Sequence, residues 1–222
     1  MRRRENMFLD MKTTVIGGGA MGGALAEGFV KSGAFSASDI TVTAGHEATL
    51  DRFRQLGCNV TTDNAEAVKG ADVVILAVKP WLVKQVVDGI LPALDYARQT
   101  VVSVAAGVPG KDLEAMFVRG DGTCPSIFIA MPNIAAALGC SMTFIVNVNG
   151  GVEDAERVDT LFSHVGSTMP IEERLLPAGT ALASCGIAYA MRYVRASTEG
   201  GVQLGFKAAA ARDIVLQTVK GA

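Results

Sequence analysis

Gly17, Gly19 and Gly22 stand in G-x-G-x-x-G order inside the stretch Thr13-Thr14-Val15-Ile16-Gly17-Gly18-Gly19-Ala20-Met21-Gly22-Gly23-Ala24-Leu25. The chemistry that this spacing supports is the holding of a diphosphate. The first glycine permits a tight turn, the second lets phosphate approach bare backbone, and the third lets the following helix pack close to the preceding strand. A helix opening near Ala20 would aim its unpaired first-turn N–H groups at the same oxygens. In a chain with 25 glycines the spacing alone can arise by chance. Its surroundings give it weight: an apolar strand before it, a helix after it and a second strand over Asp39–Ala44.

In an open parallel sheet, ligands lie beyond the carboxyl ends of the strands. Strand ends with small or turn-forming residues are therefore the candidates. For a dinucleotide they are Ile16, Gly17, Gly18, Gly19, Ala20 and Met21 at the first turn, Ala44, His46 and Asn64 around the second strand, Ala77-Val78-Lys79-Pro80, and Ala105-Ala106 before Gly107. Met131, Pro132 and Asn133, after Ala130, are the candidates for substrate contact. Lys79 also reads as a solvated loop charge, and Asn64 as a helix cap. The second strand ends Thr41-Val42-Thr43-Ala44-Gly45-His46, without the carboxylate that an NAD-type site places against the ribose diol. With Thr43 and His46 as donors the site leans towards NADPH, with NADH second. Arg52, on the following helix, is either an aid to this or a surface arginine.

The elements that must position these residues follow from the hydrophobic pattern. Ala24 to Val30 reads as helix closed by Gly33, a second helix runs through Leu56 to Gly57, and Asn59–Thr62 is a short strand. Asp63 or Asn64 caps a helix over Ala65–Lys69. Asp72–Val78 and Thr100–Ala105 are almost unbroken apolar runs, as in parallel strands covered on both faces. Helices over Trp81–Leu94, Lys111–Phe117 and Asp154–Val165, and strands over Ser126–Ala130, Ser141–Asn147 and Ser167–Ile171, continue a β–α alternation that predicts a Rossmann-like, mostly parallel α/β sheet. From Glu173 only helix is expected, in one stretch to about Leu204 and another from Lys207. The domains are read as 1–10 leader or tail, 11–172 dinucleotide-binding, and 173–222 helical. About fifty helical residues make a poor independent core, so this segment is expected to pack against a second copy as a homodimer or larger homo-oligomer.

Composition narrows the class. The 222 residues carry a net charge of -2 and are 50% hydrophobic, which suits a packed core and argues against a broad nucleic-acid surface. The one basic run, Arg2-Arg3-Arg4, has no signal-peptide apolar segment behind it, and no run approaches a membrane span. Asn59-Val60-Thr61 matches a glycosylation sequon but has no secretory context. Cys58, Cys124, Cys140 and Cys185 lack C-x-x-C spacing and read as reduced core thiols in a cytoplasmic protein. With two histidines, His46 and His164, and no carboxylates gathered near them, no metal site is expected.

The set Ile16-Gly17-Gly18-Gly19-Ala20-Met21, Leu76-Ala77-Val78-Lys79-Pro80, Ser103-Val104-Ala105-Ala106-Gly107-Val108, Ala130-Met131-Pro132-Asn133 and Gly201-Val202-Gln203-Leu204-Gly205, in this order from Met11 to the end, resembles pyrroline-5-carboxylate reductase. The resemblance implies NAD(P)H-dependent reduction of the cyclic imine 1-pyrroline-5-carboxylate to proline, and a C-terminal helical domain that dimerises by intertwining. The chain departs from that family at three places. Ile129 replaces an arginine, Ile134-Ala135 replaces Thr-Pro, and Ala183-Ser184-Cys185-Gly186-Ile187-Ala188-Tyr189 replaces a turn of the form Ser-Gly-Ser-Gly-Pro-Ala-Tyr, so helix is expected to run through the last of these. The sequence stops at Ala222, before the family's Ser-Pro-Gly-Gly-Thr-type loop that holds the substrate carboxylate, and is read as a truncated, divergent member. No side chain is assigned as catalytic acid. The rival readings are a non-catalytic NADP-binding homologue and an oxidoreductase for another imine or hydroxy acid. The latter's relatives carry a catalytic acid on the long helix, where this chain offers Arg192, Arg195 and Glu199 but no lysine before Lys207.

Overall fold

The computed structural model describes residues 10–222, so the expected leader lies outside the described residues except for Asp10. Eight strands form one sheet in the order β3-β2-β1-β4-β5-β6-β7-β8. They are β1 Thr13–Ile16, β2 Ile40–Thr43, β3 Asn59–Thr61, β4 Val73–Leu76, β5 Thr100–Ser103, β6 Ser126–Met131, β7 Ser141–Asn147 and β8 Gly166–Pro170. The helices among them are α1 Ala20–Ser32, α2 Glu47–Gln55, α3 Asn64–Ala67, α4 Val83–Ile90, α5 Gly110–Phe117 and α6 Val152–Ser163.

Strand alternation explains the layering. On β1, Val15 joins one core while Ile16 joins the other. On β4, Ile75 faces the first core, and Val74 and Leu76 face the second. The first core adds Leu25 and Phe29 of α1, Phe53 of α2 and Phe162 of α6. The second adds Val83, Val87 and Ile90 of α4 and Leu113 and Phe117 of α5. The sheet is thus covered on both faces, which is why its strands read as unbroken apolar runs.

Chain punctuation matches local chemistry. Gly33, at φ 70°, closes α1 by donating its N–H to the Val30 carbonyl, and Gly57, at φ 86°, follows the end of α2. Asp63 caps α3, its side chain accepting from the Ala65 and Glu66 N–H groups. Trp81–Leu94 is not one helix: a 3-10 turn over Pro80–Leu82 precedes α4, and another over Leu91–Ala93 follows it. A proline lies in the opening of each turn: Pro92 lacks the N–H that would carry α4 further, whereas Pro80 stands at a first-turn position that needs no such bond.

All strand pairs are parallel except β6 with β7, which run antiparallel. The connection between these two holds only the 3-10 turn Ile134–Leu138, whereas a parallel crossover needs about a dozen residues or more. That turn packs on α1 at Gly28, where a Cβ would stand 2.2 Å from the Ala136 carbonyl oxygen.

At the opposite end of the sheet, one carboxylate ties three elements together. Asp154 of α6 accepts from the hydroxyls of Thr100 (3.1 Å), which opens β5, and Ser126 (2.6 Å), which opens β6, from Arg157 Nη1 (2.9 Å) and from the Gly151 N–H (3.3 Å). Burial by itself would raise this carboxyl's pKa, but the hydrogen bonds from Ser126, Thr100 and Gly151 and the charge of Arg157 outweigh it and hold it below the ordinary value. A group whose folded pKa is depressed adds stability above its unfolded pKa and loses it as pH falls through the folded one. Asp154→Asn should therefore cost about 1–2 kcal/mol near pH 7. In urea titrations the gap between the two proteins should close as pH drops below about 4.

The chain divides into two compact units, up to Leu176 and Pro177–Ala222. In the second, helix runs from Leu176 to Gln203, with a π-helical segment over Thr180–Ser184, so the chain is helical through Ala183–Tyr189 as expected. Within this run α7 is Leu176–Gly179 and α8 is Cys185–Gln203, and α9, Ala208–Gly221, folds back on α8. A Cβ on Gly201 would meet the Ala211 Cβ at 3.0 Å, which records how closely the two helices approach. Val194 of α8 and Ala211 of α9 are buried, whereas Leu182, Tyr189, Tyr193, Leu204, Phe206 and Ile214 are exposed.

Among the described residues, no helix is long and apolar enough to cross a membrane, and no cluster of three or more His, Cys, Asp or Glu side chains could hold a metal ion. All four cysteines are free. The expectation of core thiols holds at Cys58; Cys124 and Cys185 are half-buried, and Cys140 is exposed in the loop between β6 and β7, where it donates to the Leu138 carbonyl (3.4 Å).

Candidate functional site

Parallel register brings the sequence-selected segments to one edge of the sheet. Ile16 pairs with Thr43 on one side and Leu76 on the other, Leu76 with Ser103, and Ser103 with Ile129. Gly17, Ala44, Ala77 and Ala130 thus follow on the next rung, and Ala105 and Met131 lie just beyond. The chain order reverses between β1 and β4, the switch point outside whose carboxyl ends such sheets bind ligands, and Gly17–Gly22 and Ala77–Pro80 stand on either side of it.

The glycines differ in what fixes them. Gly17 adopts φ 107°, and a Cβ there would lie 2.6 Å from the Ala77 carbonyl oxygen. At Gly22 a Cβ would fall 2.1 Å from the Gly17 carbonyl oxygen and 2.9 Å from the Ala77 Cβ. These two are demanded by the protein's own packing. Gly18, outside the motif, is equally constrained, since its Cβ would meet Phe53 at 2.8 Å. A Cβ on Gly19 would meet nothing within 4 Å, its φ is an ordinary -71°, and it caps α1 without a side-chain hydrogen bond. The second glycine of the motif therefore has no packing reason in this chain. It leaves open space over a helix N-terminus whose first-turn N–H groups lack a side-chain partner, the arrangement that suits a dinucleotide diphosphate.

Thr43 ties the turn to β2. Its carbonyl accepts from the N–H groups of Gly17 (3.1 Å) and Gly18 (2.7 Å). Its hydroxyl, expected as a donor to the cofactor, is instead buried and donates to Asn64 Oδ1 at 2.6 Å. Asn64 is the first residue of α3 rather than its cap, which is Asp63. It helps line a cavity of about 440 Å³ with Thr62, Val86 and Gly89. Ala44 is half-buried, and His46 is exposed at the start of α2, where it makes no capping hydrogen bond.

Lys79 is exposed at the head of the turn Pro80–Leu82, and Ala77, Val78 and Pro80 are half-buried. Ala105 is buried and Ala106 exposed, so a smooth backbone faces the edge after β5. After β6, Met131 is half-buried and Pro132 buried. Asn133 is only 6% exposed: its N–H donates to Ser141 Oγ (3.0 Å), and its Oδ1 accepts the Ala135 N–H (3.1 Å) as a cap. Ile129, where the resemblance expects arginine, is 5% exposed and belongs to the core on the α4–α5 face.

Two side chains matter more than sequence reasoning granted. Arg52 Nη2 donates to the carbonyls of Gly18 (2.8 Å) and Gly19 (3.1 Å), so this arginine grips the glycine turn. Trp81, the chain's one tryptophan, stands 76% exposed next to Pro80 at the same edge. Trp81 had a sequence cue, its position just after a candidate strand end. Arg52 was singled out by its place on the helix after β2, but nothing in the sequence pointed to its partners, which are main-chain oxygens.

The architecture, strand order and glycine turn define an α/β protein of the dinucleotide-binding, doubly wound class. Comparison with known proteins carries this further. Residues 12–107 match the family described as NADP oxidoreductase coenzyme F420-dependent, and residues 173–222 match pyrroline-5-carboxylate reductase dimerisation. The chain is 33% identical to a pyrroline-5-carboxylate reductase of Methanosarcina acetivorans, covering 96% of this chain and 78% of that one. It is 34% identical to pyrroline-5-carboxylate reductase 2 of Homo sapiens, over 96% and 67% of the respective lengths. Among solved structures, the enzyme from Coxiella burnetii superposes with a TM-score of 0.85 at 29% identity, covering 95% of this chain and 77% of that one. The Plasmodium falciparum protein, crystallised with NADP bound, gives 0.83 at 26%, covering 95% and 76%. The chain belongs to the pyrroline-5-carboxylate reductase family.

Proposed function

We propose that this chain binds NADPH at the glycine turn and reduces 1-pyrroline-5-carboxylate to L-proline, the last step of proline biosynthesis. The observation that carries the reading is the open space over Gly19 at the bare N-terminus of α1, set at the reversal of strand order in a member of this family. The turn Ile16 to Met21 takes the diphosphate. Ala44, His46 and Asn64 border the adenosine half, and Ala77 to Pro80 with Ala105 and Ala106 form the floor beneath the nicotinamide half. Met131, Pro132 and Asn133 border the imine. Ala44, Gly45 and His46 after β2 include no acid, and Glu47, the next residue, is paired with Arg54, which together with exposed His46 favours NADPH over NADH.

Bound there, NADPH supplies the hydride that adds to the imine carbon. A protonated imine is already electrophilic, so the chain's task is to hold the two reactants in contact and keep water away, which is compatible with a site that has few titratable groups. Buried Ala105 and half-buried Met131 offer small and apolar surface for that contact. The exposed apolar side chains of α8 and α9 support a homodimer built through this unit, since such a surface is costly to leave in water. The lack of a membrane-spanning helix among the described residues is compatible with a cytoplasmic enzyme.

Turnover is tested by mixing protein, NADPH and 1-pyrroline-5-carboxylate and following cofactor absorbance. The expected result is a fall that requires all three components and a lower KM for NADPH than for NADH. Unchanged absorbance in a preparation that demonstrably binds NADPH would overturn the reductase reading and leave a cofactor-binding homologue.

A further inference from the structure

We infer that Arg52 is a positioning residue that sets the peptide planes of the glycine turn for diphosphate binding, and that Gly23 is the notch that admits it. The inference rests on the reading of the turn as an NADPH site. In a trans peptide the C=O of one residue and the N–H of the next point in opposite directions. By holding the Gly18 and Gly19 carbonyls, at 2.8 and 3.1 Å, Arg52 Nη2 turns the N–H groups of Gly19 and Ala20 away from α2. Consecutive glycines have no Cβ to resist a peptide flip; the Gly19 carbonyl is also held by the Gly23 N–H (2.8 Å), so it is the Gly18–Gly19 plane that depends most on the arginine. A flipped plane would present a carbonyl oxygen to an anion instead of a donor.

The guanidinium is itself fixed from three sides. Its Cζ lies 4.5 Å from the centre of the Phe53 ring, and Nη1 lies 3.5 Å from Glu27 Oε1. The third side is α1, where a Cβ on Gly23 would stand 2.1 Å from Nη2 and 2.9 Å from Cζ. Gly23 lies inside a helix, where alanine is intrinsically preferred by about 1 kcal/mol, so the glycine needs a reason, and the arginine supplies it. The same Phe53 whose ring lies against the guanidinium also excludes a Cβ at Gly18, so one aromatic side chain seats both the turn and its clamp.

The group that a Cβ at residue 23 meets is the far end of a flexible side chain. Gly23→Ala should therefore fold normally and push Arg52 off the carbonyls. Arg52→Met removes the donors and keeps most of the apolar stem. The test is a double-mutant cycle on the full chain, with NADPH affinity by calorimetry and thermal melting on wild type, R52M, G23A and the double variant. Each single change should weaken NADPH about tenfold, the scale of one hydrogen bond to a charged group. In the R52M background, G23A should add less than about twofold, and G23A should melt no lower than wild type. In turnover, both singles should raise KM for NADPH far more than they lower kcat at saturating cofactor. NADPH binding by R52M equal to wild type, or a G23A penalty that persists in full without Arg52, would overturn the inference while leaving the site reading intact. A wild-type chain that does not bind NADPH would overturn both.

Discussion

Gly19→Glu should abolish measurable NADPH binding while the protein melts within about 2 °C of wild type. The residue has ordinary helix-start backbone angles and nothing within 4 Å of its would-be Cβ, so no native contact opposes a side chain there. A carboxylate beside the N-terminus of α1 is even mildly favourable for the helix. The cost falls on the ligand: the glutamate occupies the open space and sets like charge against the diphosphate, a juxtaposition worth several kcal/mol. The expected loss is at least about 100-fold in Kd, read by calorimetry beside a melting curve. Retained affinity would show that the diphosphate does not lie over Gly19. A collapsed melting temperature would show that the space is not open.

Gly17→Ala should behave in the opposite manner, damaging the fold first. Its φ of 107° is strained for any L side chain, and the added Cβ would press on the Ala77 carbonyl oxygen at 2.6 Å, where the neighbour is backbone and cannot swing aside. The two effects together should cost about 3 kcal/mol or more, measured as a lower urea midpoint. Gly17 joins β1 to α1 and adjoins β4, so the damage spreads through the centre of the sheet. A wild-type midpoint for this variant would mean that the turn adopts another geometry. The contrast between positions 17 and 19, two residues apart in one motif, separates a glycine that the protein needs from one that the ligand needs.

The motif's presence was legible in the sequence; this division of labour was not. G-x-G-x-x-G names three glycines without saying which are held by neighbouring backbone, because the neighbours, Ala77 above all, arrive from a strand some sixty residues away. The strand ends were readable to within two residues: the apolar runs continue to Val78 and Ala105, whereas β4 and β5 end at Leu76 and Ser103, where the backbone leaves the sheet. The direction of β7 was not legible from its apolar run, which resembles the others; it follows from the brevity of the link Pro132–Cys140.

Polar side chains were the least legible. Thr43, Asn64 and Asn133 were selected as residues that could meet a ligand, yet the hydroxyl of Thr43 is bound to Asn64 and the Oδ1 of Asn133 closes a local turn. Short polar side chains serve backbone and neighbours as readily as ligands, and only the fold decides which. Arg52 shows the converse. A surface arginine on an amphipathic helix carries no cue that its partners are the carbonyls of Gly18 and Gly19, and Gly23 passes as one more glycine in a glycine-rich stretch.

The proposed activity depends most on a dinucleotide resting on the bare turn between β1 and α1. Calorimetric titration of the wild-type chain with NADPH tests it most directly, with the melting temperature recorded at saturation. The expected outcome is saturable heat at one cofactor per chain with a rise in melting temperature, both lost in Gly19→Glu. No heat and no melting shift with either NADPH or NADH would contradict it.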